Sequence, residues 1–317
     1  MPADLQPLLE SLGDPAQALS DTRLQSLSDL DTPRLEIFKR AWAAWPAARR
    51  VEVLKHLGQL ADEDIELDFD RIYRLALDDD AAVARSQAIV NLWECEEPSL
   101  GRRLSALLLA DPATEVRAAA AAALGRFVYL GEVEEIDAEL LQEVENRLLV
   151  AQRGDEDEVV RRRSLESLGY SSRPEVPPLI EAAYRSGDER LMQAGLKAMA
   201  RSANPVWAAS VLENLHHATP GLRAEAARAA GELELRDSAD DLIELTGDAV
   251  DDVRQAAIWS LAQIGGEGAT QALARLLEAV EDEDEAALLE DALDYIAFVD
   301  GTRDIALLDF DAEDTES

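Results

Sequence analysis

The chain has 317 residues, enough for two ordinary domains or one extended array. Apolar residues make up 47% and aromatics only 5%, and the excess of Ala, Leu, Glu, Asp and Arg points to helix rather than sheet. With 66 acidic against 30 basic residues the net charge is −36, a field that repels phosphate backbones and anionic lipid and so argues against nucleic-acid and membrane partners.

No apolar run approaches the roughly 18 residues that would span a bilayer, and the N-terminus shows no basic stretch leading into an apolar one. A soluble, cytoplasmic protein is expected. Cys95 is the single cysteine, so no internal disulfide can form and packing must supply the stability.

Residues 1–30 carry a weak helical pattern, "LQPLLESL" and "RLQSLSDL", suited to an N-terminal helical cap over whatever follows. From residue 31 to 300 one frame returns: a branched apolar residue, Arg, two variable positions, a small residue, two more variable positions, then small, Leu, Gly. In chain order its copies are "RRVEVLKHLG" (49–58), "ARSQAIVNLW" (84–93), "VRAAAAAALG" (116–125), "VRRRSLESLG" (160–169), "LMQAGLKAMA" (191–200), "LRAEAARAAG" (222–231), "VRQAAIWSLA" (253–262) and "LLEDALDYIA" (288–297). They recur every 31 to 35 residues with one interval of 44, which is the signature of a solenoid.

Each unit also holds an earlier apolar helix, such as "LSALLLA" (104–110), set off by signals such as "DP" (111–112) and "TPG" (219–221). Each unit therefore reads as a helical hairpin. We count the first residue of the frame as place zero. Small residues at places four and seven, such as Ala120 and Ala123 or Ala226 and Ala229, let neighbouring helices approach closely. Gly58, Gly125, Gly169 and Gly231 are expected to close their helices in the left-handed conformation. The 44-residue interval makes "YLGEVEEID" (129–137) either a candidate protruding loop or an extension of the fourth unit's first helix. Residues 301–317 read as a C-terminal segment ending in a disordered acidic tail, "DFDAEDTES".

This frame resembles the HEAT repeat, in particular the short bacterial type found in phycobilisome lyase subunits. The resemblance covers about residues 31 to 300 and rests on the tandem frame alone. It implies an all-α fold, a right-handed α-solenoid of about eight HEAT-like helical hairpins, with second helices on the concave side and proteins bound in the concavity. The frame arginines Arg50, Arg85, Arg117, Arg161, Arg223 and Arg254 resemble the structural hydrogen-bonding residues of such repeats. The resemblance also raises an alternative, a lyase-like or chaperone accessory protein acting on the bilin of a phycobiliprotein.

No catalytic residue, cofactor site or metal site is read from the chain. It has no nucleophile elbow, phosphate-binding glycine loop or zinc spacing. An iron-dependent hydroxylase built on His-Glu pairs is argued against, because His56 precedes Leu57 and His217 precedes Ala218. His216 and His217 are expected to suit the C-terminal end of a first helix.

Places two, six and ten lie one turn apart on one face of each second helix. Those 24 positions hold six basic and five acidic residues, a near-neutral stripe with a basic middle on a strongly acidic protein. Such a stripe suits a protein or acidic peptide segment. Arg162, Lys197, Arg201 and Arg228, with Tyr170 and Trp259 as flat anchors, are the expected partner-binding residues of a monomeric, non-enzymatic scaffold; the alternative is that these arginines pair with nearby carboxylates such as Glu166 and Glu225 and that Trp259 packs between helices.

Overall fold

The computed structural model describes residues 5–313, and no strand occurs among them. The protein is all-α. Two short helices, α1 (Leu5–Gly13) and α2 (Asp21–Gln25), precede the repeats. Then come four hairpins: α3 (Thr32–Trp42) with α4 (Ala47–Glu63), α5 (Asp70–Ala76) with α6 (Ala82–Asn91), α7 (Pro98–Ala110) with α8 (Thr114–Glu132), and α9 (Ala138–Gly154) with α10 (Glu158–Leu168). Four more follow: α11 (Val176–Tyr184) with α12 (Glu189–Arg201), α13 (Ala208–Asn214) with α14 (Pro220–Glu232), α15 (Ala239–Leu245) with α16 (Asp251–Ile264), and α17 (Glu267–Ala279) with α18 (Glu283–Glu313). Every copy of the frame falls on a second helix. Of the segment expected as an acidic tail, residues 314–317 lie outside the described residues.

The chain divides into two compact units, Met1–Leu168 and Gly169–Ser317, where the sequence reads as one run. Within the first, second helices pack in succession, α4 on α6, α6 on α8 and α8 on α10; within the second, α12 packs on α14, α14 on α16 and α16 on α18. Within each unit the hairpins thus meet their sequence neighbours, as a repeat array requires.

Two hydrogen-bond patterns tie neighbouring hairpins together. In the first, the frame arginine donates through Nη1 to carbonyls of the turn before its own helix, and through Nε and Nη2 to a carboxylate of the next hairpin. Arg85 reaches Asp79 O at 2.8 Å and both Asp111 oxygens at 2.8 and 2.7 Å. Arg117 reaches Asp111 O at 3.1 Å and Asp155 at 2.8 and 3.0 Å; Arg223 reaches His217 O at 2.8 Å and Asp248 at 2.8 and 3.0 Å. Arg50 meets Asp79 at 3.2 Å and also Asp80, Arg161 holds the carbonyls of Asp155 and Glu156, and Arg254 holds Glu285. The aspartates serve twice, since Oδ1 of Asp79, Asp111, Asp155 and Asp248 also accepts the N–H two residues on, at 2.8 to 2.9 Å, at the start of the second helix. This planar fork-to-carboxylate geometry is what arginine supplies and lysine does not.

In the second pattern, the residue at place seven donates to the place-five carbonyl of the preceding second helix: Asn91 Nδ2 to Leu54 O at 2.8 Å, Ser167 Oγ to Ala121 O at 2.7 Å and Ser260 Oγ to Ala227 O at 2.7 Å. This corrects the expectation for the glycines. Gly58, Gly125 and Gly231 lie inside helices and Gly169 directly follows one, and positive φ occurs among the described glycines only at Gly187, Gly265 and Gly266. The four instead make room. A Cβ at Gly125 would lie 2.9 Å from Ser167 Oγ, and one at Gly169 would lie 2.8 Å from the Ala198 backbone. The left-handed helix ends are occupied by Glu134, Ala203 and Glu234.

Of the two readings of the insertion, helix extension holds and the protruding loop does not. The extra residues lengthen α8 to 19 residues and α9 to 17, and only 133–137 connect them. Leu124, Phe127 and Val128 are fully or almost fully buried, so the apolar stripe continues past the glycine and the helix continues with it. At the N-terminus Arg49, 2% exposed, donates to Leu12 O at 2.6 Å and Gln17 O at 2.9 Å, fastening the segment after α1 to α4.

Candidate functional site

The second unit holds five of the six residues expected to bind a partner. Lys197 and Arg201 stand on α12, Arg228 on α14 and Trp259 on α16, while Tyr170 precedes α11. Arg201 lies over the Tyr170 ring, its guanidinium carbon 4.9 Å from the centroid, a cation–π contact. Arg228 pairs with Glu225 at 3.0 Å, one turn earlier on its own helix, and with Asp252 at the start of α16.

Glu232 marks where these groups converge. It keeps solvent contact, yet burial of its carboxyl pushes the pKa above the ordinary range; Arg201 opposes that rise, Glu225 adds to it, and Lys197 and Arg228 oppose it further. The structure therefore gathers Lys197, Arg201 and Arg228 around one face and matches them there with Glu225, Glu232 and Asp252. Trp259 is paired with Tyr295 of α18 at 5.7 Å between ring centroids. Phe298, one turn further along α18, is 70% exposed, and Trp259 and Tyr295 are 45% and 41% exposed.

Arg162 belongs to the first unit, where it pairs with Glu158 on its own helix at 3.2 Å. The histidines follow α13 rather than ending it: His216 Nε2 lies 3.3 Å from Asp241, and His217 Nδ1 accepts the Thr219 N–H at 3.0 Å. His217 thus takes the capping place that aspartate holds in other hairpins. Among the described residues no group of three or more His, Cys, Asp or Glu side chains could hold a metal ion. No described helix is long and apolar enough to cross a membrane.

Sequence reasoning missed the carboxylate half of the arginine pattern. Asp79, Asp111, Asp155 and Asp248 each stand six residues before a frame arginine, a spacing present in the sequence but hidden because aspartate before a helix already reads as a cap. Burial pushes the Asp111 carboxyl up, but the Arg85 guanidinium, the Ala113 N–H and the nearby Arg117 outweigh it and hold the group below the ordinary range. Asp155 is held down against its burial in the same way by Arg117, the Asp157 N–H and Arg161.

Comparison with known proteins adds a family to this geometry. Residues 208–294, from α13 into α18, match the family described as HEAT repeats. No curated protein matches the sequence. Among solved structures, similar ones include YibA of E. coli, at 15% identity over 90% of this chain and 99% of that one, with a TM-score of 0.45. Human deoxyhypusine hydroxylase in complex with glycerol is similar at 19% identity over 94% and 97%, with a TM-score of 0.38. The complex of CpcE and CpcF of phycocyanin lyase from Nostoc sp. is similar at 19% identity over 72% and 95%, with a TM-score of 0.47. What those proteins bind or catalyse does not carry over to this chain at such similarity.

Proposed function

We propose that the protein is a non-enzymatic scaffold, monomeric and cytoplasmic, that binds a partner protein on the second-helix face of residues 169–299. The observation that carries this reading is the exposed aromatic surface that Trp259, Tyr295 and Phe298 form on α16 and α18, with Trp259 and Tyr295 in ring contact. The HEAT repeats of residues 208–294 support a binding role for the same helices.

The partner segment is acidic with apolar flanks. Trp259 supplies a flat anchor, and a ligand carboxylate takes the place of Glu225 or Asp252 on Arg228, whose side chain is 38% exposed. Exchange is inexpensive there because a half-exposed ion pair contributes about 1 kcal/mol or less.

Affinity capture from a lysate, run in parallel with the intact protein and the Arg201→Glu, Arg228→Glu variant, tests the reading. A partner held by the first and lost by the second supports it. Equal retention by both removes this face from the reading.

A further inference from the structure

The first unit contains a cleft of about 580 Å³ where α3, the start of α4 and the end of α5 meet, large enough for a small ligand. Leu35, Trp42 and Leu75 supply its apolar lining, and Arg50 stands at its wall.

Arg50 is a frame arginine whose hydrogen bonds are incomplete. At Arg85, Arg117 and Arg223, Nη1 holds backbone carbonyls while Nε and Nη2 hold both oxygens of one aspartate. At Arg50 the matching carboxylate is taken: Asp79 Oδ2 accepts the Trp42 indole N–H at 2.8 Å and Oδ1 the Ala81 N–H at 2.8 Å. Only Nη2 of Arg50 is served, by Asp80 and, at 3.2 Å, by Asp79 Oδ1. Nε is sealed from solvent without a partner, whereas Nη1, equally without one, is not sealed. A guanidinium that is 6% exposed and leaves donors unused is costly unless another acceptor completes it. Nη1 is the donor it can offer to the cleft it lines.

The surrounding charges narrow the ligand. Lys39, exposed on α3, also lines the cleft and makes no ion pair among the described residues. The other two cations of the lining are engaged, Arg71 with Leu30 O and Thr32 Oγ1 and Arg74 with Cys95, Glu97 and Ser99. Among the carboxylates Asp78 pairs with Arg103, Asp79 and Asp80 are occupied as above, and Glu36 lies exposed. With four carboxylates facing four cations, the unused donors suit one negative charge, and a dianion such as phosphate is disfavoured.

We infer that this cleft binds a monocarboxylate with an apolar body, the carboxylate accepting from Arg50 Nη1 and Lys39 and the body lying on Leu35, Leu75 and Trp42. The same chemistry is offered by a free organic acid and by the C-terminal end of a peptide, and the test below separates the two. The cleft lies in the first unit and the proposed partner face in the second, so either can fail alone.

The Trp42 indole N–H supplies the readout, because it shares Asp79 with Arg50. Its nitrogen–proton correlation signal in the full-length protein, assigned by its loss in Trp42→Phe, is followed during titration with five probes. These are phenylbutyrate, phenylbutyramide, acetyl-Ala-Phe with a free carboxylate, acetate and inorganic phosphate, each to about 20 mM, above the millimolar affinity a small acid can supply. The two apolar acids shift the signal saturably, and the tighter of them identifies the source of the carboxylate. The amide, acetate and phosphate bind at least about tenfold more weakly, for want of the charge, the apolar body and the single charge respectively. Arg50→Lys, which keeps the charge and removes the guanidinium, weakens phenylbutyrate binding about tenfold. Lys39→Met, at an exposed position that leaves folding intact, weakens it about threefold, whereas Arg40→Met, beside it but outside the cleft lining, leaves it unchanged. If Arg50→Lys does not fold, Lys39→Met decides alone. No saturable shift with either apolar acid, an equal affinity for the amide or for phosphate, or an affinity untouched by Lys39→Met would overturn the assignment.

Discussion

The two compact units are built on one frame but are held together differently. In the first, bulk fills the layers: Phe38, Phe69 and Phe127 are 0%, 2% and 1% exposed, and the rings of Phe38, Trp42 and Trp45 pack with centroids 5.4 to 5.7 Å apart. In the second, close approach replaces bulk, since Ala224, Ala226, Ala227, Ala229 and Ala230 on α14 are all wholly buried. The arginine pattern differs too. The first unit has paired arginines at Arg50, Arg85 and Arg117, whereas the fifth hairpin bears Met192 at the arginine place and Ser186 at the aspartate place. A repeat can keep its frame while changing the physical means of satisfying it, and the means decides which substitutions hurt.

The largest expected effect follows from that contrast. Phe127→Ala removes a buried ring from the first unit and lowers stability by about 4 kcal/mol, transfer and cavity combined. In the second unit the damaging change runs the other way, and Ala227→Leu costs about 2 kcal/mol by overpacking the α14–α16 contact. Urea denaturation of both variants checks the pair. A mild Phe127→Ala beside a severe Ala227→Leu would break the comparison.

Next in size are the ion pairs. Asp155→Ala leaves Arg117, whose side chain is 8% exposed, with only the more distant Glu156 carboxylate at 3.7 Å, and removes the cap on the Asp157 N–H, a loss of about 3 kcal/mol. Glu285→Ala strands Arg254, 24% exposed and still near Asp251, and costs about 1 kcal/mol or less. A shift of the urea midpoint for the first variant several times that for the second is the expected outcome.

These pairs also show what could be read from the sequence. The small residues and arginines of the frame located all eight second helices, because helix-to-helix packing imposes the same demand every 31 to 35 residues. Glycine was legible as necessary but not for its reason: at Gly125 and Gly169 the need is space for Ser167 and Ala198, which belong to the next hairpin and leave no mark near the glycine itself. The continuation of α8 was written in Phe127, Val128 and Leu130, which extend the buried stripe. Of the proposed binding face, the sequence registered the helix positions of Lys197, Arg201, Arg228 and Glu232 and named Glu225 as an alternative partner for the arginines, but not Asp252, which comes from the next hairpin. Nor did it register Tyr295 beside Trp259, since that neighbour comes from a hairpin about 36 residues on.

A smaller change in stability is expected from pH. Asp70 and Glu232 have carboxyl pKa values raised by the fold, so the stability they contribute is present when they are protonated and is lost as pH rises through their folded values. Asp111 and Asp155 are lowered, so theirs is present above the ordinary carboxylate range and is lost as pH falls through their folded values. The urea midpoint should therefore rise modestly from neutral pH toward about pH 5 and fall below about pH 4. Hydrogen exchange should assign the acid loss to α6, α8 and α10. A midpoint that declines steadily from pH 7 would contradict the raised groups, and one unchanged down to pH 3 would contradict the lowered ones.

The smallest expected effect is the one the two units should share. Helix α8 ends with Glu134 at φ 64° and α14 with Glu234 at φ 50°, each closed by the N–H of the next residue bonding back five positions, Glu135 to Leu130 O at 2.8 Å and Leu235 to Ala230 O at 2.9 Å. This closure calls for glycine at the left-handed position, and glutamate there bears both the Cβ strain and a negative charge at the negative end of the helix dipole. Glu134→Gly and Glu234→Gly should each stabilise by about 0.5 to 1 kcal/mol, the relief exceeding the entropy that glycine returns to the unfolded chain. Equal gains would show that the units differ in how their layers are filled and not in how their helices end. A gain in one alone would mean that the surrounding unit, rather than the backbone conformation, sets the strain.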